Sequence, residues 1–202
     1  MTYMDKALTL AQKTLGSVSP NPAVGSIVVK DNIVVGEGWT QPPGQAHAEV
    51  MSLRQAGDKA KGATLYTTLE PCNHFGRTPP CTEAIIEAGI SQVCVAMIDP
   101  NPLVNQQGIS RIKDAGIRLE LGECKDTAAN LIEAYTKYIT TGYPFVTAKF
   151  AMSLDGKIAT RSGDSKWISS KASRTYVHKL RSQSDAIMGG INTVVTDNPR
   201  LS

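Results

Sequence analysis

The sequence comprises 202 residues, of which 41% are hydrophobic and 19% charged, and its formal net charge is +3. This composition is typical of a globular protein and excludes disordered and fibrous classes. No run approaches the ~18 apolar residues of a membrane span, and the N-terminus lacks the apolar block of a signal peptide, so we expect a cytoplasmic protein. Four cysteines are too few for a secreted disulfide scaffold and favour metal binding or burial.

Positive charge is concentrated in the C-terminal part of the chain. Residues 1–149 contain 13 Lys and Arg against 14 Asp and Glu, whereas residues 150–202 contain 8 against 4. A basic segment suits small phosphorylated ligands as well as nucleic acid, but this one lacks the long Lys/Arg run of a nucleic-acid-binding arm. Charge by itself leaves both kinds of partner open; for the protein as a whole we expect a small phosphorylated ligand, and neither nucleic acid nor a membrane.

Hydrophobic periodicity predicts alternating helices and strands over residues 1–143. Apolar residues recur at helical spacing from Met4 to Leu15 and are followed by Gly16, which predicts a first helix. Residues 23–30 and 33–39 flank Asp31-Asn32 and predict a β-hairpin. The remaining predicted elements are helix 47–57, strand 63–69, helix 79–88, strand 92–98, helix 106–115, strand 117–121 and an amphipathic helix through residues 131–139. This order predicts an α/β fold with helices on both faces of a sheet.

The pattern restarts beyond Pro144, so we place a domain boundary between residues 143 and 144. A strand from Phe145, a turn at Asp155-Gly156, a helix at 170–182 and a strand at 185–190 are predicted there. These elements are too few to enclose a core. We expect residues 144–202 to be the opening part of a domain and to be unstable alone.

Three residues of types that bind metals lie near the ends of predicted elements. His47 lies at a helix start, and Cys72 and Cys81 are separated by eight residues. An imidazole and two thiolates give the three protein ligands of a catalytic zinc site, with one position open for water. Glu49 lies two residues from His47 and is placed to act as general acid/base rather than as a ligand. A purely structural zinc would need a fourth ligand, for which His74 is the candidate.

The local sequence favours ionised sulfurs. Thr78 is predicted to cap a helix that begins at Pro79, which places Cys81 in the first turn, where free N–H groups stabilise a thiolate. Cys72 follows Pro71 at the end of a strand, the edge at which active sites of α/β sheets lie.

The pattern H-x-E with P-C-x-x-C is the signature of zinc deaminases. The segments H-A-E and P-C of this sequence match it, but the second cysteine comes after eight residues instead of two. Residues 73–80 must therefore form a loop over the site, where His74 and Arg77 would offer hydrogen-bond donors to a phosphate or a polar ring.

Seven segments together resemble the bifunctional riboflavin-biosynthesis deaminase/reductase family: SPNPAVGSIVV, HAEV, TLEPCNHFGRTPPC, DPNPLV, SLDGKIA, SKWIS and TVVTDNPRL. The similarity covers essentially the whole chain. It implies a cytidine-deaminase-like three-layer α/β/α domain in residues 1–143, followed by the start of a dihydrofolate-reductase-like α/β domain in residues 144–202. It also implies association of subunits into a homo-oligomer.

The resemblance implies two activities. The first is zinc-dependent hydrolytic deamination of 2,5-diamino-6-ribosylamino-4(3H)-pyrimidinone 5′-phosphate, with Glu49 moving the protons. The second is reduction of the ribose side chain by NADPH. The glycine-rich loop and later acidic residue that the family uses for this reduction are not in this sequence, so we do not expect the chain alone to perform it.

Family positions further imply binding residues, and one position departs from the family. The deaminase substrate would be held by Asn21, His74, Arg77 and Asn101. The reductase domain would bind NADPH through Ala151, Trp167, Thr193 and Asp197, and its substrate through Ser165, Arg181 and Leu201. Thr40 stands where the family often has His, which leaves that contact open.

Simpler interpretations stand beside several of these assignments. Asn21 between two prolines could be only a turn former, and Trp167 could be a packing aromatic. Cys94 alternates within an apolar strand and is predicted to pack, Cys124 to be an incidental thiol, and His178 to lie on a helix surface or pack there. Two other functions stay open: a nucleoside or tRNA base deaminase acting on a flipped base, and a non-catalytic binding module stabilised by zinc.

Overall fold

The computed structural model describes residues 1–200 and divides the chain into two compact units, Met1–Phe145 and a second unit from Val146 onward. Leu201 therefore lies outside the described residues. The first unit contains α1 (Tyr3–Gln12), β1 (Gly25–Lys30), β2 (Ile33–Trp39), α2 (Ala48–Ala56), a 3-10 turn (Gly57–Ala60), β3 (Thr64–Thr67), α3 (Cys81–Glu87), β4 (Gln92–Val95), α4 (Gln107–Asp114), β5 (Arg118–Leu121), α5 (Lys125–Leu131) and α6 (Glu133–Thr141). The second contains α7 (Lys171–Ser182) and α8 (Ile191–Asp197).

The first unit is built on a five-stranded mixed sheet in the order β2-β1-β3-β4-β5. Strand β1 is antiparallel to both β2 and β3, whereas β3, β4 and β5 are parallel. The predicted hairpin is present, and its two turn residues have positive φ, 49° at Asp31 and 61° at Asn32. Such a left-handed pair matches the right-handed twist of the two strands. The carboxyl ends of the three parallel strands lie at one edge, where ligands bind in open α/β sheets.

Helices cover both faces of this sheet, which confirms the predicted three-layer α/β/α architecture. Alternation along β4 illustrates the division, because Val93 and Val95 pack with residues of α2, α3 and α4, whereas Cys94 packs with residues of α1 and α5. Cys94 is thus a core residue, as its position in an apolar strand predicts.

The helix predicted through residues 131–139 is α6, which begins at Glu133, and a further helix that was not predicted, α5, precedes it. Ile132 leaves the helical conformation, with φ −111° and ψ 24°, and separates α5 from α6. The break allows Ile132, which is 5% exposed, to pack in the core beside Ala128, whereas α6 itself contains no buried residue. Periodicity alone did not predict this break, because the apolar spacing continues through it.

The second unit differs from prediction in its strands. The helix predicted at 170–182 is present as α7, but the segments 145–152 and 185–190 contain no strand, and no described residue from 146 to 200 is buried. A strand needs a neighbour to pair its N–H and C=O groups, and neither segment finds one among the described residues. Along residues 1–200, none of the helices is both long and apolar enough to cross a membrane.

Candidate metal centre and active site

Three side chains that could bind a metal ion meet beyond the carboxyl end of β3. His47 is the residue before α2, Cys72 lies in the loop after β3, and Cys81 is the first residue of α3. Their ligand atoms all lie within 4.8 Å of one another. Cys81 is buried, whereas His47 and Cys72 are half-buried and so remain accessible to a ligand.

The geometry of these three residues fits a tetrahedral zinc ion. The Nδ1 atom of His47 lies 3.6 Å from the sulfur of Cys72 and 3.3 Å from that of Cys81. Tetrahedral zinc with ordinary Zn–S and Zn–N bond lengths holds a sulfur and a nitrogen about 3.6 Å apart. Two soft thiolates and one imidazole are also a donor set that zinc prefers. The residues therefore fit zinc with three protein ligands and one further position.

Hydrogen bonding favours a thiolate in this group. The backbone N–H of Cys81 donates to the sulfur of Cys72 at 3.4 Å, and the Nδ1 atom of His47 lies within hydrogen-bonding distance of the same sulfur. The thiol of Cys81 is the largest cause that lowers the pKa of Cys72, and His47 acts in the same direction. A metal ligand must be deprotonated, so this environment prepares Cys72 for coordination. The pKa of Cys81 is raised instead, because its thiol donates to Cys72 and is buried, so the start of α3 does not make Cys81 the thiolate that the sequence predicted.

Glu49 lies beside the group and is enclosed by protein. It is 4% exposed, and its Oε1 atom lies 3.3 Å from the hydroxyl of Thr67 at the end of β3. Burial raises the pKa of Glu49, and the positive charge of His47 opposes that rise. A general acid/base must occur in both protonation states, and the raised pKa of Glu49 moves this carboxyl group toward that condition.

Close approach of α2 to β2 places His47 and Glu49 against the sheet. A Cβ atom on Gly38 would lie 2.1 Å from the carbonyl oxygen of Ala48, and one on Gly36 would lie 2.1 Å from that of Ser52. Any side chain at these two positions would push α2 away. The two glycines of β2 therefore determine how deeply the start of α2 reaches toward Cys72.

The start of α3 differs from prediction. The helix begins at Cys81 rather than at Pro79, its N-cap is Pro80, and Thr78 does not cap it. Two consecutive prolines fix φ near −65° and disfavour helical geometry in the residue before each of them, so the helix starts after the second. Cys81 still occupies the first helical position, where its N–H is free to donate to Cys72.

The predicted deaminase substrate residues lie on three loops. Asn21 is half-buried in a turn, with its N–H donating to the carbonyl of Val18 at 2.8 Å. His74 and Arg77 are exposed on the loop between the two cysteines, and among residues 1–200 neither hydrogen-bonds to the metal-binding group. Asn101 is half-buried in the loop after β4. Their binding roles stay predictions.

Thr40 anchors the loop that contains Asn21. Its hydroxyl accepts from the N–H of Val24 at 3.1 Å and lies 3.1 Å from the carbonyl oxygen of Pro22. Thr40 is 4% exposed, so it faces the protein and not the solvent. Thr40 therefore fixes the loop, and it does not supply the imidazole that the family often has at this position.

The residues predicted to bind ligands in the second unit occupy scattered positions. Trp167 is 71% exposed, and the guanidinium of Arg174 lies 4.1 Å from its ring centroid. This cation–π contact gives Trp167 a role in local packing, and its binding of NADPH stays a prediction. The other described members are half-buried or exposed: Ala151 and Ser165 in loops, Arg181 in α7, and Thr193 and Asp197 in α8.

Sequence reasoning did not identify several polar residues that the fold places in or near the site. Thr67 contacts Glu49, and Glu70 is a buried carboxylate that accepts four backbone N–H groups. Asp99 is buried and accepts from the N–H of Asn101 and from the hydroxyl of Tyr135. The one available signal was Glu70, an ionisable residue at the end of an apolar strand, where an unpaired charge would be costly.

Two family models match the chain. A cytidine and deoxycytidylate deaminase zinc-binding region matches residues 1–97, and the RibD C-terminal domain matches residues 144–202. The residues matched by the first model include His47, Glu49, Cys72 and Cys81. The observed cluster of side chains therefore lies in a region that is similar to zinc-binding deaminases.

Curated relatives and solved structures agree with these models. The riboflavin biosynthesis protein RibD of Aquifex aeolicus is 53% identical over 99% of this chain and 56% of its own length, and that of Synechocystis sp. is 52% identical over 100% and 55%. A diaminohydroxyphosphoribosylaminopyrimidine deaminase/5-amino-6-(5-phosphoribosylamino)uracil reductase from Thermotoga maritima has a TM-score of 0.94 and 44% identity over 99% of this chain and 58% of that one. RibD of Acinetobacter baumannii has a TM-score of 0.91 and 50% identity over 98% and 56%.

The chain thus spans about half the length of the curated relatives it matches. The alignment with the Aquifex aeolicus relative covers 99% of this chain at 53% identity. The chain belongs to the family of bifunctional riboflavin-biosynthesis deaminase/reductases.

Proposed function

We propose that the first unit is a zinc-dependent deaminase that acts on 2,5-diamino-6-ribosylamino-4(3H)-pyrimidinone 5′-phosphate. The observation that carries the proposal is the cluster of His47, Cys72 and Cys81 with the buried carboxylate of Glu49 beside it. Three protein ligands and an adjacent acid/base form the arrangement of a catalytic metal site, whereas a structural zinc site is closed by four protein ligands. His74, the candidate fourth ligand, is exposed and is not a member of the group.

The protein's own residues supply binding and proton transfer. A zinc ion held by the three ligands would supply the Lewis acidity that activates water at neutral pH. Glu49 accepts a proton as water adds to the ring carbon that carries the 2-amino group. Glu49 passes this proton to the ring nitrogen, then takes the second proton from the added hydroxyl group and passes it to the amine. The C–N bond breaks, the hydroxyl oxygen becomes a carbonyl, and ammonia departs. Thr67 holds the carboxylate in place by the contact at Oε1.

The loop between the two cysteines contains side chains that favour a small phosphorylated substrate. His74 and Arg77 are exposed on it and extend from a segment that both Cys72 and Cys81 anchor. Guanidinium and imidazole groups are suitable partners for a phosphate. Asn21 and Asn101, on two other loops, would hydrogen-bond the remaining polar groups of the substrate.

Replacement of Glu49 by Gln tests the proposal. The variant keeps the size of the side chain but not the base, so we expect zinc content to equal that of the parent protein while ammonia release falls by about 10²- to 10⁴-fold. Glu87→Gln, on the exposed side of α3, is the matched control and should leave both unchanged. Unreduced turnover in Glu49→Gln would refute the assignment.

The choice of substrate decides between the proposal and its alternatives. Ammonia release from the pyrimidinone phosphate should exceed release from cytidine or from tRNA. A preference for either of the latter would favour a nucleoside or nucleic-acid deaminase. Zinc binding without ammonia release from any of the three would identify a binding module.

For the second unit we propose a part in NADPH-dependent reduction of the ribose side chain. The match to the RibD C-terminal domain supports this proposal. The same proposal includes a homo-oligomeric assembly and a cytoplasmic location. It also includes binding of NADPH by Ala151, Trp167, Thr193 and Asp197. Fluorescence titration with NADPH, with NADH as comparison, tests the cofactor.

A further inference from the structure

Glu70 is a buried carboxylate that holds two loops of the candidate site together. It is 3% exposed and follows β3 by three residues. Its Oε2 atom accepts from the N–H groups of Asp99 and Gln106, both at 3.1 Å. Its Oε1 atom accepts from those of Gly108 at 2.9 Å and Ile109 at 3.2 Å. Four charge-assisted hydrogen bonds satisfy a carboxylate that would otherwise be costly to bury.

The four N–H groups that donate to Glu70 show which segments of the chain this side chain holds in place. Gly108 and Ile109 belong to the first turn of α4, whose free N–H groups Glu70 occupies from another part of the chain. The N–H of Asp99 is at the start of the loop after β4, and the side chain of Asp99 in turn accepts from the N–H of Asn101 at 2.8 Å. Glu70 therefore connects the segment that continues into Cys72 with the segment that contains Asn101.

A second contact shows how closely the two segments approach. A Cβ atom on Gly108 would lie 1.9 Å from the carbonyl oxygen of Pro71, the residue between Glu70 and Cys72. The backbone before Cys72 thus rests directly on the start of α4. The carbonyl of Cys72 also accepts from the N–H of Thr82 in α3 at 3.2 Å, so this loop is held from both sides.

We propose that Glu70 is a positioning residue of the deaminase site: it orients Cys72 for metal binding and Asn101 for substrate binding through the four backbone hydrogen bonds. The inference rests on the proposed function, because it assigns what Glu70 does for that site. Glu70 itself contacts neither zinc nor substrate.

Glu70→Gln tests the proposal, since it keeps the shape of the side chain but replaces one accepting oxygen by an NH₂ group that faces two backbone donors. Residues that orient metal ligands typically affect metal affinity by about 10- to 100-fold. We expect zinc transfer from the full-length protein to a chromogenic chelator to be at least about tenfold faster than in the parent. With zinc saturating, KM for the pyrimidinone phosphate should rise more than kcat falls, because Asn101 is displaced while Glu49 is not.

Ile112→Val is the matched control. It removes one methyl group from a fully buried residue of the same helix, α4, and so destabilises the packing without contacting the carboxylate. Its zinc release and KM should equal those of the parent. Equal behaviour of Glu70→Gln and Ile112→Val would overturn the proposal. If the parent protein itself neither binds zinc nor releases ammonia, the proposed function fails instead.

Amide hydrogen exchange in the parent protein gives a test that needs no variant, and it decides the case if Glu70→Gln does not fold. The N–H groups of Asp99, Gln106, Gly108 and Ile109 should all be protected to the level of the β4 core. Exchange at the rate of an open loop at these amides would overturn the proposal.

Discussion

Thr40 offers a sharp test of how the loop that contains Asn21 is held. Thr40→Val keeps the side-chain volume but removes the hydroxyl. The N–H of Val24, in a residue that is 7% exposed, then loses its acceptor at 3.1 Å, and the carbonyl of Pro22 loses its donor at 3.1 Å.

The magnitude follows from these two bonds. A typical hydrogen bond contributes about 0.5–1.5 kcal/mol net, and a buried donor left without a partner costs about 1–3 kcal/mol. Because the carbonyl of Pro22 is only partly buried and can reach water, we expect the free energy of unfolding to fall by about 2–3 kcal/mol in total. For a unit of this size that corresponds to a thermal midpoint lower by roughly 5–10 °C.

Thr40→Ser is the matched control, because it keeps the hydroxyl and loses only a methyl group. Differential scanning calorimetry of the two variants and the parent measures the thermal midpoints. Steady-state kinetics should also show a higher KM in Thr40→Val than in Thr40→Ser, since the loop with Asn21 is less well fixed. Equal midpoints and equal KM values in the two variants would refute the reasoning.

Three further predictions concern pH, metal removal and proteolysis. Burial raises the pKa of Asp99, so the protonated side chain stabilises the folded state at low pH, and this contribution is lost as the pH rises through the folded pKa. Urea unfolding should therefore show that Asp99→Asn gains stability relative to the parent between acidic and neutral pH. A difference in stability that does not change with pH would contradict this. Chelation of zinc should make the half-buried Cys72 reactive toward a thiol reagent while Cys81, 1% exposed, and Cys94, 3% exposed, stay protected, and modification of Cys94 as fast as Cys72 would be the contrary result. Limited proteolysis should cleave within residues 146–200 well before residues 1–145, because no described residue of the second unit is buried; equal resistance would show that this segment is packed by contacts other than those described.

Local patterns were sufficient for much of the first unit. The alternating helices and strands, the two-residue turn at Asp31-Asn32 and the buried position of Cys94 all follow from periodicity and turn chemistry, which neighbouring residues encode. The residue types also indicated zinc: a histidine and two cysteines near element ends are sufficient to suggest the ion, and the fold places these three side chains within reach of one another.

Other features depend on contacts between distant parts of the chain, and so the sequence alone could not determine them. The strand order follows from which strands pair. The partners of Glu70 lie 29 to 39 residues along the chain, and whether a carboxylate at the end of a strand is buried depends on what folds over it. The break at Ile132 and the unpaired segments 145–152 and 185–190 have the same origin, because packing and strand pairing override local preference. The sequence by itself thus determined most elements of the first unit and the ligand types. Only the tertiary structure decided where pairing and packing change an element and which polar groups satisfy one another, since that depends on residues that the fold alone makes neighbours.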